Sequence, residues 1–149
     1  MNHIGVPVSD LALSVRWYED VLGIAPNGVT ISAANPAIGA VVEVANPSMR
    51  ASFALVGDNV LLELIQYDSP QPRPFTGRNC DVGVMHLCFE VDDIDAAHRD
   101  LRERGVHVNA DPVVLQDGDG VNAGALAGTK ILYLRDPDGI QLELFELPS

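Results

Sequence analysis

Two stretches near the start and the middle of the chain alternate apolar and polar residues with the two-residue period of a β-strand. The apolar positions are Ile4, Val6 and Val8 in the first stretch, and Leu87, Phe89 and Val91 in the second. Each stretch is followed by apolar residues at helical spacing: Leu11, Val15, Tyr18 and Leu22, then Ile94, Ala97 and Leu101. The pattern therefore predicts a strand followed by a helix, twice.

Local signals mark the ends of both predicted helices. Ser9 or Asp10 precedes the first helix and Asp92 or Asp93 the second, and all are residue types that cap helix N-termini. A glycine, Gly23 or Gly105, follows each helix, where left-handed backbone is common. Further strands are predicted at about 39–45, 51–57 and 60–67, and again at about 106–115, 130–135 and 140–146.

The two halves resemble each other in sequence as well as in pattern. The segment HIGVPVSDLALSVRWYEDVLGI begins at His3, and the comparable HLCFEVDDIDAAHRDLRERGV begins at His86. Later in each half, Leu-Glu-Leu surrounds Glu63 in NVLLELIQY and Glu143 in GIQLELFEL. Two matches in the same order indicate an internal duplication. The chain thus consists of two βαβββ modules of an α+β protein.

A change in amino-acid composition marks the boundary between the two modules. We expect one domain over residues 1–149, with module 1 at about 1–68, a linker at about 69–81 and module 2 at about 82–149. The linker is rich in proline. The segment 116–129 is rich in Gly, Ala, Asp and Asn and fits neither a strand nor a helix, so we expect either a lid or a disordered loop.

Charge and composition exclude several classes of function. The net charge is −12, with Lys130 the only lysine, which disfavours binding to nucleic acid or to an anionic membrane. No apolar run is long enough to span a bilayer, and the N-terminus lacks a secretory signal pattern. Two cysteines, Cys80 and Cys88, are too few for a disulfide framework. We expect a cytoplasmic protein whose partner is a small-molecule substrate.

Strand alternation predicts which side chains share a face. In the first strand His3 points away from the aliphatic positions that should pack under the helix, and the same parity applies to Glu63, His86 and Glu143. Each module thus presents one His and one Glu on a mostly apolar face. If the modules meet about a pseudo-twofold axis, the four groups converge in one cleft.

A divalent metal ion would resolve the cost of burying two carboxylates there. Two imidazoles and two carboxylates suit Ni, Co, Zn, Fe or Mn, with positions left for water or substrate. We therefore predict one metal ion bound by His3, Glu63, His86 and Glu143. Taken singly, each Glu could instead be an exposed strand residue and His3 a frayed terminus.

The motifs HIGVPVSDLALSVRWYEDVLG, HLCFEVDDIDAA and LRDPDGIQLELFE resemble the vicinal oxygen chelate superfamily, which includes glyoxalase I, methylmalonyl-CoA epimerase, extradiol dioxygenases and bleomycin-resistance proteins. The resemblance covers nearly the whole chain. It implies paired modules that form a cupped mixed sheet around a metal cleft, metal ligands at the four positions named above, and a homodimer.

Local differences within that superfamily narrow the expected activity. A Glu at position 63 is unlike the extradiol dioxygenases, and a complete ligand quartet is unlike the bleomycin-resistance proteins. Bacterial glyoxalase I carries an arginine where this chain has Pro7. Methylmalonyl-CoA epimerase resembles the opening HIGVPVSDL, but it has Gln at the position of Glu63 and a His-Pro-Lys turn in place of residues 135–139.

The resemblance implies a metal-dependent epimerase, isomerase or lyase that acts on a carbon acid beside a carbonyl group. The metal would stabilise the enolate, and a carboxylate would take up and return the proton. Glu143 or Glu63 is one candidate for that base, and Glu43, in the stretch where the epimerase has an acidic residue, is another. The alternatives are a small-molecule (antibiotic) binding resistance protein and a relative of the ring-cleaving dioxygenases.

Overall fold

The chain folds into two compact units, Met1–Pro74 and Phe75–Ser149, in a computed structural model that describes residues 1–118 and 122–148. The division falls inside the proline-rich segment between the two repeats. Each unit forms its own four-stranded mixed sheet, with helices packed on it. The predicted α+β class and the pair of βαβββ modules are therefore confirmed.

The first unit contains four strands and two helices. In chain order they are β1 (His3–Pro7), α1 (Leu11–Leu22), β2 (Pro26–Ala33), α2 (Pro36–Val42), β3 (Ser48–Val56) and β4 (Val60–Ser69). The strands lie in the order β1-β4-β3-β2. The first and last strands, β1 and β4, are parallel neighbours, whereas β2, β3 and β4 pair antiparallel.

The second unit repeats this topology. Its elements are β5 (Leu87–Glu90), α3 (Ile94–Glu103), β6 (Val113–Val114), the short 3-10 helix Gly124–Leu126, β7 (Lys130–Arg135) and β8 (Gln141–Glu146). The strands lie in the order β5-β8-β7-β6, and the first and last are again parallel neighbours. The two repeats found in the sequence therefore also have the same strand order and pairing.

The predicted caps are confirmed for both long helices. The Asp10 carboxylate accepts a hydrogen bond from the backbone N–H of Leu13, and the Asp93 carboxylate accepts one from that of Ala96. Gly23 ends α1 with a φ of 68°, in the left-handed region that glycine adopts without strain. Among the described residues, no helix has both the length and the apolar character needed to cross a membrane.

Each sheet buries one face under its helix. In the first unit the buried side chains include Val6, Val8, Tyr18, Leu62 and Leu64, and in the second Ile94, Leu101, Leu132, Leu134, Leu142 and Leu144. These positions follow the alternation that the sequence shows, so the faces of β1, β4 and β8 are assigned as expected. Residues of opposite parity on the same strands lie on the other face of each sheet.

The strand predicted at residues 39–45 is wrong. Residues 36–42 form α2, because Asn35 caps it through a 2.7 Å hydrogen bond from the Ala37 backbone N–H, and Pro36 occupies the first turn. Val41 and Val42 are β-branched residues of the kind enriched in strands, but in α2 Val41 is exposed. An Asn-Pro pair was the signal for a helix start.

The second strand of the first unit lies earlier than predicted, at β2. Its residues are almost all exposed, and its pairing with β3 is interrupted between Pro26 and Thr30. Val29 and Ile31 alternate with polar residues in β2, but both are exposed, so this edge strand has no buried face in the unit.

The strand predicted at residues 106–115 is much shorter than expected. Only Val113–Val114 pairs regularly with β7, and an isolated bridge joins Val108 to Leu134. Pro112 lies between these contacts and has no backbone N–H to donate to a sheet. The segment therefore contacts β7 twice rather than along its length.

Hydrogen bonds close the base of the segment 116–129. The backbone N–H of Leu115 donates to the Thr129 carbonyl, and that of Gly128 donates to the Leu115 carbonyl, both at 2.8 Å. Inside the segment, the Asp117 carboxylate accepts a 2.8 Å hydrogen bond from the Ala123 backbone N–H. Residues 119–121, where a lid or a disordered loop was also predicted, lie outside the described part of the chain.

In each unit, a side chain on the last strand accepts a hydrogen bond from the first residue of the long helix. Gln66 on β4 accepts a hydrogen bond from the Leu11 backbone N–H at 2.8 Å, and Glu146 on β8 accepts one from the Ile94 backbone N–H at 2.6 Å. Each acceptor lies three residues after the Glu of the Leu-Glu-Leu motif. These bonds satisfy backbone N–H groups that have no partner within the helix.

We expect Glu146→Ala to lower the free energy of unfolding by about 1–2 kcal/mol, because it removes a charged acceptor from a helix N-terminus. Lys130, which lies 3.6 Å from the same carboxylate, would keep its closer contact with Asp95 at 2.6 Å. Urea denaturation followed by circular dichroism measures the change. Glu146→Gln keeps an acceptor and should lose much less, and an equal loss in both variants would contradict this role.

Candidate metal centre

In the first unit the structure brings His3 and Glu63 together. Strands β1 and β4 are parallel neighbours in a register that sets Gly5 beside Glu63, two residues along from His3. His3 Nε2 lies 3.5 Å from Glu63 Oε2, and the Glu63 side chain is only 13% exposed. His3 Nδ1 lies 2.8 Å from Asn2 Oδ1, a contact that orients the ring with Nε2 toward the carboxylate.

In the second unit the structure brings His86 and Glu143 together in the same way. Strands β5 and β8 are parallel neighbours, and the register sets Cys88 beside Glu143. His86 Nε2 lies 3.0 Å from Glu143 Oε2, and the Glu143 side chain is 11% exposed. Each unit therefore carries one His–Glu pair at equivalent positions, and in both pairs the His Nε2 atom faces the Glu Oε2 atom.

The spacing of these atoms suits two donors to one metal ion. Two ligand atoms about 2.1 Å from an ion and at right angles to each other lie roughly 3 Å apart. The two His–Glu contacts, at 3.0 and 3.5 Å, are close to that value. Neutral imidazole nitrogen and carboxylate oxygen are also donor types that the borderline divalent metals accept. The residues present fit a metal ion.

Each pair by itself supplies only two donors. Within residues 1–118 and 122–148, no cluster of three or more His, Cys, Asp or Glu side chains is placed to hold a metal ion. The ligand set His3, Glu63, His86 and Glu143 that the sequence predicts stays a prediction.

Glu143 has two further polar neighbours, of which the sequence reasoning missed Tyr133. Tyr133 lies directly opposite Glu143 in the antiparallel β7–β8 pair, and Cys88 lies beside it on β5. Both side chains lie close enough to the Glu143 carboxylate to feel its negative charge. The Tyr133 ring also meets the His86 ring edge to face, with centroids 5.4 Å apart.

Burial and the nearby carboxylate keep both of these groups protonated. Burial first, and then the negative charge of Glu143, raise the pKa of Tyr133 to about 12. The same causes in the same order raise the pKa of Cys88 to about 11. Near neutral pH both side chains are therefore neutral hydrogen-bond donors. The register of the β7–β8 hairpin was the signal that could have identified Tyr133.

Glu63 has apolar neighbours at the equivalent positions. Phe53 lies opposite Glu63 in the β3–β4 pair, and Gly5 lies beside it on β1. The Phe53 and His3 rings meet edge to face with centroids 6.5 Å apart. The second unit thus surrounds its carboxylate with donors, whereas the first unit offers a hydrocarbon ring and a glycine.

Glu43, the other predicted catalytic candidate, lies at the end of α2 rather than on a strand. It is exposed and is the C-terminal cap of that helix, with a φ of 55° in the left-handed region. Its backbone N–H donates to the Gly39 carbonyl. A left-handed conformation is uncommon for a residue with a side chain, and glycine is the usual occupant of such a cap.

Comparison with known proteins gives a consistent result. A family model described as the glyoxalase/bleomycin resistance protein/dioxygenase superfamily matches residues 1–144. The chain is 34% identical over 153 residues to 2-epi-5-epi-valiolone epimerase of an Actinomyces species, a match covering 100% of this chain and 80% of the relative. It is 28% identical over 149 residues to mitochondrial methylmalonyl-CoA epimerase of Mus musculus, covering 97% and 71%.

The fold also matches solved structures. A glyoxalase family protein from Bacillus cereus superposes with a TM-score of 0.79 at 19% sequence identity, and the match covers 100% of this chain and 94% of that one. At this identity the likeness concerns the fold.

The left-handed backbone at residue 43 gives a test of Glu43. We expect Glu43→Gly to raise the free energy of unfolding by about 1 kcal/mol, because glycine adopts this φ without a side-chain penalty. Glu43→Ala removes the same carboxylate but keeps the Cβ, and should give no such gain. Thermal denaturation measures both. A Glu43→Gly variant no more stable than Glu43→Ala would show that φ is not the limiting factor there.

Proposed function

We propose, from the premise that the chain belongs to the glyoxalase/bleomycin resistance protein/dioxygenase superfamily, that it is a metal-dependent epimerase acting on a carbon acid beside a carbonyl group. The observation that carries this proposal is the duplicated pair, His3 with Glu63 and His86 with Glu143, whose donor atoms lie 3.5 and 3.0 Å apart. The epimerases among its relatives supply the reaction class.

The proposed metal ligands are His3, Glu63, His86 and Glu143. Together they offer two neutral nitrogens and two carboxylates, whose formal charge balances a divalent ion such as Ni, Co, Zn, Fe or Mn. When bound, such an ion would supply Lewis-acid stabilisation of negative charge on a substrate oxygen. We further propose a homodimer, with the four ligands drawn from one chain or from two.

The two epimerase relatives share one kind of chemistry. Methylmalonyl-CoA is a thioester with its stereocentre next to the carbonyl carbon, and a valiolone is a cyclic ketone. In both, removing the C–H proton beside the carbonyl leaves an electron pair that the carbonyl oxygen accommodates. A shared fold with this shared requirement favours proton transfer over a redox or ring-cleaving reaction for this chain.

The protein must therefore supply a base beside the carbonyl. A carboxylate takes the proton from carbon, the C–H electron pair stays on the substrate, and the proton returns in the reverse step. Glu63 and Glu143 are the part-buried carboxylates that lie beside the His ligands. Glu43 is exposed at the end of α2 and is a third candidate.

Charge favours a neutral substrate over a coenzyme A ester. The net charge is −12, and coenzyme A carries several negative charges on its phosphates. Many of the few basic side chains are already engaged by carboxylates: Arg50 by Asp68, Arg78 by Asp81, Arg102 by Asp111, Arg104 by Asp100 and Lys130 by Asp95. A small hydroxylated ketone meets no such repulsion.

Metal binding can be tested without knowing the substrate. We expect chelator-treated protein to bind one equivalent of Co²⁺ per chain, and the visible absorption of the bound ion measures this binding. His86→Ala should weaken Co²⁺ binding by about 100-fold or more, because residues that only hydrogen-bond to a metal ligand already change metal affinity by about 10–100-fold. His107→Ala, which removes an exposed histidine of the same unit, is the matched control and should bind Co²⁺ like the wild type. Equal binding by both variants would contradict the ligand assignment.

Proton transfer can be tested by deuterium incorporation in D₂O. We expect the metal-loaded protein to exchange the hydrogen beside the carbonyl of 2-epi-5-epi-valiolone about tenfold or more faster than that of methylmalonyl-CoA at low ionic strength. Added salt should narrow the difference, because it screens the repulsion of coenzyme A. Mass spectrometry measures the label.

Two other results would redirect the assignment. A protein that binds the ketone and the metal but exchanges no hydrogen would be a binding protein. Oxygen uptake with iron and a catechol would instead support a ring-cleaving dioxygenase.

A further inference from the structure

One stretch of the first unit carries no charged residue. Asp, Glu, Lys and Arg together make up 20% of the chain, yet none of them lies between Asp20 and Glu43. The stretch contains β2 and α2, and in β2 every residue except Ala33 is exposed. The exposed residues of Pro26–Ala33 and Pro36–Val42 therefore form an uncharged surface on a chain whose net charge is −12.

Exposed apolar side chains lie on this uncharged surface. On β2 they are Val29 and Ile31, and on α2 they are Val41 and Val42, with Val41 81% exposed. Single exposed apolar residues are ordinary on a protein surface. Four of them in one segment without charge are typical of an interface, because the centre of an interface is depleted in charged residues.

The uncharged surface lies at an edge of the first sheet. β2 pairs with β3 on one side, and in the described part of the chain no strand pairs with its other side. Asn27 Oδ1 accepts a 2.9 Å hydrogen bond from the Val29 backbone N–H, and Gly28 between them has a φ of 82°. This turn interrupts the regular strand, as the irregularities that protect sheet edges do. A partner is therefore expected to contact side chains rather than to add a strand to the sheet.

The equivalent edge of the second unit is flanked by charge. β6 (Val113–Val114) has the position of β2 in the strand order, and both of its valines are exposed. Asp111, which pairs with Arg102, and Asp117 lie on either side of it and are exposed. Carboxylates beside an apolar patch disfavour the approach of a second acidic chain. The two edges thus share exposed valines but differ in charge.

We propose that the uncharged surface is where a second copy of this chain docks. In a dimer related by a twofold axis each copy uses the same surface, so that surface must be complementary to itself. A patch with one sign of charge meets the same sign across the axis, whereas an uncharged apolar surface meets its like without repulsion. Two copies that each carry a net charge of −12 therefore approach most favourably there.

The inference assigns a surface to the homodimer of the proposed function, and it depends neither on the metal ion nor on the reaction. Gel filtration with light scattering tests it. At about 100 µM, where even a micromolar Kd leaves most of the protein dimeric, we expect twice the chain mass of 15.9 kDa. Ile31→Glu and Val41→Glu each place a carboxylate on both sides of the interface, and should raise the Kd at least about 100-fold.

The internal duplication supplies the matched control. Val113→Glu makes the same kind of change on the edge of the second unit and should dimerise like the wild type. The replaced side chains are all exposed, so we expect each variant to fold, which circular dichroism and thermal denaturation confirm.

Salt and hydrogen exchange give two readouts on the wild-type chain itself. Added NaCl should lower the Kd, because it screens the repulsion between two acidic copies. An interface built from ion pairs would instead weaken and would contradict the proposal. Backbone amides of residues 26–42 should exchange more slowly above the Kd than below it, whereas residues 113–114 should show no such change.

Several results would overturn the inference. A wild-type chain that stays monomeric at about 100 µM, or a dimer that persists in both Ile31→Glu and Val41→Glu, would remove the second copy from this surface. Dissociation in Val113→Glu alone would move the interface to the second unit. A monomer that binds an apolar dye, with binding lost in Ile31→Glu, would assign the surface to a small apolar ligand. A dimer that binds no Co²⁺ would contradict the proposed function but not the docking surface.

Discussion

The parallel pairing of the first and last strand in each unit is the constraint on which the candidate site depends. In each βαβββ module the His lies at the start of the first strand, as the first residue of β1 or the residue just before β5, and the last strand, β4 or β8, contains the Glu. Because these strands are far apart in sequence but adjacent in the sheet, pairing them brings the imidazole within 3.5 Å of the carboxylate in one unit and 3.0 Å in the other. Helices α1 and α3 cover the opposite face and bury the aliphatic residues of the same strands.

The side-chain face was predictable from the sequence because it follows from simple periodicity, whereas the parallel pairing of β1 with β4 and of β5 with β8 is known only from the structure. Alternating apolar residues identify the buried face of β1, β4 and β8, and the repeated Leu-Glu-Leu motif aligns the two last strands. The same information fixes His3 with Glu63 and His86 with Glu143 as equivalent pairs. These predictions depend on strands that have one buried face, where a single register is strongly preferred.

The misassigned segments are those without such a face. β2 is an exposed edge strand, and residues 36–42 form a helix specified by the Asn35 cap and Pro36 rather than by periodicity. Tyr133 escaped notice for another reason, since its importance comes from the residue opposite it across a hairpin. The sequence showed a tyrosine on a strand, but only the β7–β8 register identifies Glu143 as its neighbour.

The last strand of each unit carries polar groups with separate duties on its two faces. On β8, Glu143 faces the candidate site, and Glu146, three residues later, accepts a hydrogen bond from the first turn of α3. On β4, Glu63 faces the candidate site and Gln66 accepts a hydrogen bond from the first turn of α1. Inserting or deleting one residue before such a motif would exchange the two faces, sending the helix acceptor to the metal side and the ligand into the hydrocarbon layer. The Leu-Glu-Leu segments can therefore accept substitutions far more readily than changes of length, and variation in length must be confined to the connections between strands.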